Sequence, residues 1–253
     1  MEYLSEVYGR GDMYAKVVCD SMSDSGVRLI TMELMYHRFI HSELMTHRVF
    51  SRNASSSRAI PVATMLKQVR NTPATPIHWG ANQAGMQADD ELDSELGEAM
   101  WQSAAGAASK CATEMMHEGY HKQVTNRLLE PFQFIKVVVT STEWENFFKL
   151  RVHPDAQPEF QELASCIQKA QSTSMTASIG VGGYHLPYVN VDDFTDEIGV
   201  IDTDTAIKAS VARCARVSYM NHDKTHPVIE DDLELFNMLA TRPFTDKKDR
   251  VFS

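Results

Sequence analysis

Two β-branched runs with a polar turn between them place the first constraint on the fold. Residues 15–19 and 27–34 are rich in Val, Ile, Leu and Thr, and residues 20–26 between them end on Gly26. That pattern predicts two strands joined as a hairpin. A third run, residues 132–140 (FQFIKVVVT), is β-branched and aromatic and lies about a hundred residues further on. A hairpin plus one distant strand does not make a regular βαβ series, so the spacing predicts an α+β fold with a mixed or antiparallel sheet flanked by helices. Residues 38–49 carry Phe39, Ile40, Leu44 and Met45 at helical spacing. The longest predicted helix is 89–122, with Asp89 or Asp90 as its cap and Gly97, Gly106 and Gly119 as points where it weakens. Further helices are predicted up to Leu129 and over 143–151, 157–171, 204–217 and 231–241. Residues 51–58 and 71–76 read as loops, and 172–187, with three glycines, as a loop or linker.

At 253 residues the chain suits one large domain or two small ones. Hydrophobic residues at 43% and charged residues at 23% suit a globular protein in water. No window approaches the ~18 apolar residues of a membrane span. Residues 1–12 lack the apolar core of a secretory signal, so a cytoplasmic protein with no membrane partner is expected. A formal net charge of −10 disfavours nucleic acid as a partner, because neutralising phosphates takes a basic face. It leaves room for a local basic pocket. Cys19, Cys111, Cys166 and Cys214 are too scattered for a metal knuckle and read as reduced thiols.

The chemistry is concentrated in residues 43–58, ELMTHRVFSRNASSSR, which hold one Glu, one His, three Arg, one Asn and four Ser. Guanidinium groups grip phosphate or carboxylate in bidentate fashion, and serine hydroxyls add neutral hydrogen bonds. The same composition also describes a solvated polar loop. His37 and His41, four apart, share a face if the segment is helical, yet Arg38 stands between them and no third ligand is marked, so no metal is expected. Residues 79–86 form a polar-aromatic loop that either lines a cofactor edge or only connects. The glycines of 178–184 match neither GxGxxG nor a P-loop.

The order of residues in the cluster resembles a known signature. His47-Arg48, seven residues and then Ser56 match the Arg-His-Arg-x7-Ser element of flavin-dependent thymidylate synthases, the ThyX family, with Thr46 in place of the first arginine. Asn126 to Pro131 (NRLLEP) resembles the family's Arg-x-x-Leu-Pro element, with Glu130 where Leu is common. Asn146 to Arg151 (NFFKLR), followed by Ala156-Gln157, resembles its Asn-x-x-x-Leu-Arg…Ala-Gln element. Residues 212–219 (ARCARVSY) look like a segment that lies near the N-terminus in that family, which suggests a circularly permuted or divergent order.

The resemblance implies a single ThyX-like domain over 1–253, with 172–203 as a possible linker and 204–253 standing for the family's N-terminal segment. It implies reductive methylation of dUMP to dTMP with FAD, NADPH and 5,10-methylenetetrahydrofolate, in a homotetramer. Glu43, Ser56, Ser57, Arg58, Arg127 and Arg151 would bind dUMP, with Arg58 and Arg151 as the catalytic candidates and Arg127 reaching across from a neighbouring subunit. His47, Arg48, Asn53, Asn146 and Ser218 would contact FAD. No cysteine stands in the Pro-Cys context of the classical nucleophile, and the resemblance implies that hydride from reduced flavin replaces covalent attack on the pyrimidine. Thr46 cannot supply the missing charge, and Arg52 is the candidate to compensate. Three alternatives stand beside this reading: a non-catalytic nucleotide-binding homologue, a synthase acting on a modified pyrimidine, and a nucleic-acid module built on the arginine-rich loop.

Overall fold

A computed structural model describes residues 5–84, 88, 90–218 and 228–241. These form two compact units, one of residues 5–185 with 217–218, the other of residues 186–216 and 228–241. In the larger unit, β1 (Ser5–Tyr8), β2 (Tyr14–Ser23) and β3 (Arg28–His37) lead into a one-turn helix α1 (His41–Leu44) and then β4 (Ser51–Ala54). Next come α2 (Val62–Asn71), α3 (Ser94–His117), the short α4 (Lys122–Thr125), β5 (Phe134–Ser141), α5 (Glu145–Arg151), α6 (Pro158–Thr173) and β6 (Ala177–Ile179). The smaller unit holds α7 (Thr203–Ala215) and α8 (Ile229–Thr241).

The strands form one sheet in the order β1-β2-β3-β5-β4, all antiparallel, with β6 added parallel to β2. The α+β expectation with a mixed or antiparallel sheet is met. Alternation along each strand sends successive side chains to opposite faces. Ile30, Met32, Leu34 and Tyr36 of β3, with Ile135, Val137 and Val139 of β5, form an apolar face. Against it pack Trp144, which precedes α5, and Phe147, Phe160, Leu163, Ala164, Ile167 and Ala170, which line the inner faces of α5 and α6. A second core lies between α2 and α3, closed by Leu129 and Phe132. In the smaller unit Phe194, Ala206 and Ala209 are buried with Leu186, Val189 and Ile229 against them.

Some elements depart from the sequence reading. Residues 38–49 do not form one helix: a 3₁₀ turn (Arg38–Ile40) runs into α1, and a further turn follows. Residues 51–54, read as loop, form β4, whose polar residues sit on the edge of the sheet, where no apolar alternation is required. The cap of α3 is Asp93, whose carboxylate accepts from the Glu95 and Leu96 amides. The chain just before it is held away from helical geometry by backbone bonds from Ala81 to Asp90 and from Leu92 to Trp79. The helix is unbroken, and two of its suspected weak points have definite uses. Gly97 lies against the Trp79 ring, where a Cβ would approach within 2.5 Å. Gly119, at φ +83, closes the helix with a Schellman pair, Tyr120 N to Met115 O and Gly119 N to Met116 O. Residues 172–187 hold β6 and include His185, which bonds Ser21 and Thr31 of the sheet. Residues 1–4, residues 85–87 of the polar-aromatic loop, the cap candidate Asp89, 219–227 and the chain end from 242 lie outside the described residues.

Candidate functional site

Residues 43–58 fold as α1, a tight turn and β4. Thr46 Oγ1 donates to the Glu43 carbonyl at 2.7 Å and ends the helix after one turn. Backbone bonds from His47 to Leu44 and from Phe50 to His47 continue the turn. Leu44, His47 and Phe50 therefore face the core, while Met45 and Val49 are exposed.

Arg151, the last residue of α5, reaches this turn. Its Nε donates to His47 Nε2 at 3.0 Å, its Nη1 to Glu43 Oε2 at 3.4 Å and its Nη2 to Thr46 Oγ1 at 3.4 Å. The guanidinium also lies over the Phe160 ring, 4.7 Å from its centroid. A guanidinium has five N–H donors, so two remain for a ligand. His47 accepts from Arg151, which makes it the neutral tautomer with its proton on Nδ1. Burial, then the cations of Arg151 and Arg52, push its pKa down to about 4, in agreement. Its ring is enclosed by Phe50, Phe147 and Phe160. Burial pushes the Glu43 carboxyl up, opposed by Arg151 and reinforced by Glu159. Arg52 donates to the His47 carbonyl, so it braces the turn from β4.

A second group forms around Glu130. Its carboxylate accepts from Ser57 Oγ at 3.0 Å and from Arg127 Nη1 at 3.3 Å, and pairs with Arg38 Nη2 at 3.2 Å. Ser57 and Arg127 thus meet at one carboxylate within a single chain. Ser56 and Arg58 share the adjoining turn, where the Arg58 amide donates to Ser56 Oγ at 3.3 Å. Arg48, Arg58 and Asn146 are exposed, and Asn53 is half-buried on β4. Ser218 ends a 3₁₀ turn (Arg216–Ser218), and its side chain lies outside the described structure.

The structure therefore brings Glu43, Thr46, His47 and Arg151 together, and Ser57 with Arg127. It adds Arg38, Phe160 and Glu130, which the sequence did not single out as site residues. His37 and His41 do not share a helix. His37 ends β3 and bonds the Gly11 carbonyl at 2.8 Å, while His41 opens α1 and bonds the Tyr36 hydroxyl at 2.8 Å.

No helix among the described residues is long and apolar enough to cross a membrane. No curated protein matches the chain significantly. The family model described as Thymidylate synthase complementing protein matches residues 27–173, more than half of the 253 and the stretch that carries both groups around Arg151 and Glu130. Three strands of the sheet (β3, β4 and β5), the signature turn and the arginine that closes on it all fall inside that span, and the chain belongs to the flavin-dependent thymidylate synthase (ThyX) family.

Proposed function

We propose that the protein methylates dUMP to dTMP using 5,10-methylenetetrahydrofolate, NADPH and FAD. The observation that carries this is Arg151. A guanidinium is fixed by three hydrogen bonds and an aromatic ring against the signature turn, with two N–H groups left over. Such a group is pre-organised to bind a pyrimidine oxygen and to stabilise negative charge as it develops on the ring. His47 keeps it in place by staying neutral, and Glu43 holds its outer edge.

Ser56, Ser57, Arg58 and Arg127 form the phosphate end of the site. They offer hydroxyls and guanidinium groups, the donors a phosphomonoester requires. The exposed Arg48 and Asn146, with Asn53, suit the pyrophosphate and ring edge of FAD; reduced FAD, when bound, supplies the hydride. His47 supports this side through Arg151, since its ring is enclosed by phenylalanines. Thr46 accepts from Arg151 where the family signature has a cation, and Arg52 lends charge to the same turn. The assembly we propose is a homotetramer.

Titration of FAD in the presence of dUMP tests the reading. Bound flavin whose visible spectrum shifts on adding dUMP is expected, and Arg48→Ala should weaken FAD at least about tenfold, the effect of losing one charge-assisted contact. A folded protein that binds no flavin would overturn it. Thr46, a hydroxyl in place of a guanidinium, favours a second reading in which dUMP binds without flavin chemistry.

A further inference from the structure

We propose that Glu130 is a built-in anion that fills the phosphate cradle of this site and sets its selectivity, so that a nucleotide's phosphate must displace it. The proposal rests on the dUMP reading above. Three donors converge on one oxygen: Ser57 Oγ, Arg38 Nη2 and Arg127 Nη1 all reach Glu130 Oε1, and Arg127 also reaches Oε2 at 3.3 Å. Two guanidinium groups and a hydroxyl are the donor set that recognises a phosphomonoester.

The cradle is rigid on its protein side. Asn126, fully buried, donates to the Ser57 and Ile60 carbonyls at 2.7 and 2.9 Å. Lys122 Nζ donates to the Ala59 carbonyl at 2.9 Å. The turn carrying Ser57 is thereby fixed to the segment carrying Arg127 and Glu130. Arg38 is placed by its amide, which donates to the Gln133 carbonyl at 2.8 Å. The backbone segments that carry the donors are held in place whether or not Glu130 occupies the cradle.

Charge decides between the two occupants. Two cations face one carboxylate, which leaves one positive charge in excess. A phosphate dianion balances both cations and offers three oxygens to the three donors. Both anions together would put three negative charges against two positive ones, so the carboxylate leaves when phosphate enters. It has a way out, because its side chain is 24% exposed while Leu129 beside it is buried. A monoanion gains nothing over Glu130. The device therefore favours dianionic phosphate esters and lowers their apparent affinity by the cost of displacing the carboxylate.

Calorimetric binding of dUMP, inorganic phosphate and deoxyuridine to the wild-type protein and to Glu130→Gln and Glu130→Leu tests this. Expected is at least about tenfold tighter dUMP and phosphate in both variants, with deoxyuridine unchanged. Two variants of different polarity guard against one that fails to fold. If dUMP binds the wild type and neither folded variant gains affinity for dUMP or phosphate, the proposal is overturned and the dUMP reading stands. If the variants gain affinity for phosphate while no protein binds dUMP, the internal anion stands and the substrate is wrong. Binding of neither ligand to any protein overturns both.

Discussion

Arg151 acts through geometry that a lysine cannot copy. Its planar fork meets three partners and lies over Phe160. A lysine offers one ammonium on a flexible stem. Arg151→Lys should therefore lower the rate of dTMP formation about 100-fold or more while leaving the circular dichroism spectrum unchanged; a loss under tenfold would show that charge alone suffices. His47 has a second consequence. Its folded pKa, about 4, lies below the 6.5 of the free side chain, as does that of His41, pushed down to about 4 by burial and by Arg38 and Arg52. The unfolded chain thus binds more protons than the native one between those values. The stability each contributes is complete above pH 6.5 and is lost as pH falls towards 4. Urea unfolding at pH 7.5 and pH 5 should differ, and His47→Gln should shrink the difference by roughly 1–2 kcal/mol. An unchanged pH dependence would mean that His47 is not held neutral. The Arg151 group was legible because its members lie in recognisable motifs. Arg38 was not, because its meaning depends on pairing: β3 and β5 run side by side as far as His37 and Phe134, and only that register carries Arg38 to the segment of Glu130.

At the scale of elements, what the sequence conveyed well were the strands and helices dense in apolar residues. β3 and β5 are buried on both faces along their middles, so their β-branched and apolar runs made them readable, and α6 carries its apolar residues at helical spacing. β4 was not readable, because an edge strand that exposes polar residues has no apolar period. The cap of α3 was misplaced because backbone bonding with residues 79–81 decides where the helix begins, and that contact is non-local. Gly97 tests how far tertiary contact overrides propensity. Glycine to alanine inside a helix stabilises by about 1 kcal/mol when nothing opposes it. Here the new methyl meets the Trp79 ring. Gly97→Ala should instead destabilise the protein by roughly 1–3 kcal/mol in denaturant unfolding. Stabilisation would show that Trp79 yields without cost.

At the scale of the molecule, the two units are held internally by buried ion pairs. In the larger one, Arg28 forks onto Asp20 at 2.9 and 2.6 Å. Burial works against ionisation of Asp20, but Arg28, Ser174 and Thr176 hold its carboxyl below the usual range. In the smaller one, Asp232 is fully buried and faces Arg213 at 2.8 Å and Arg216 at 3.0 Å, joining α8 to α7. Asp232→Ala strands both cations and should cost about 3–5 kcal/mol, read as loss of helix signal in thermal unfolding. A change below 1 kcal/mol would show the pair to be dispensable. The α7–α8 unit lies beyond residues 27–173, and we propose from its sequence that it stands in a permuted order; the proposed tetramer is tested directly by light scattering after size exclusion.

The activity proposed for this chain is dTMP formation by flavin chemistry. The most direct measurement is dTMP formed from dUMP, 5,10-methylenetetrahydrofolate and NADPH, with and without added FAD, using protein stripped of bound flavin. Product that depends on FAD and is lost in Arg151→Lys is the expected result. A folded, FAD-loaded protein that binds dUMP and yields no dTMP would contradict the account.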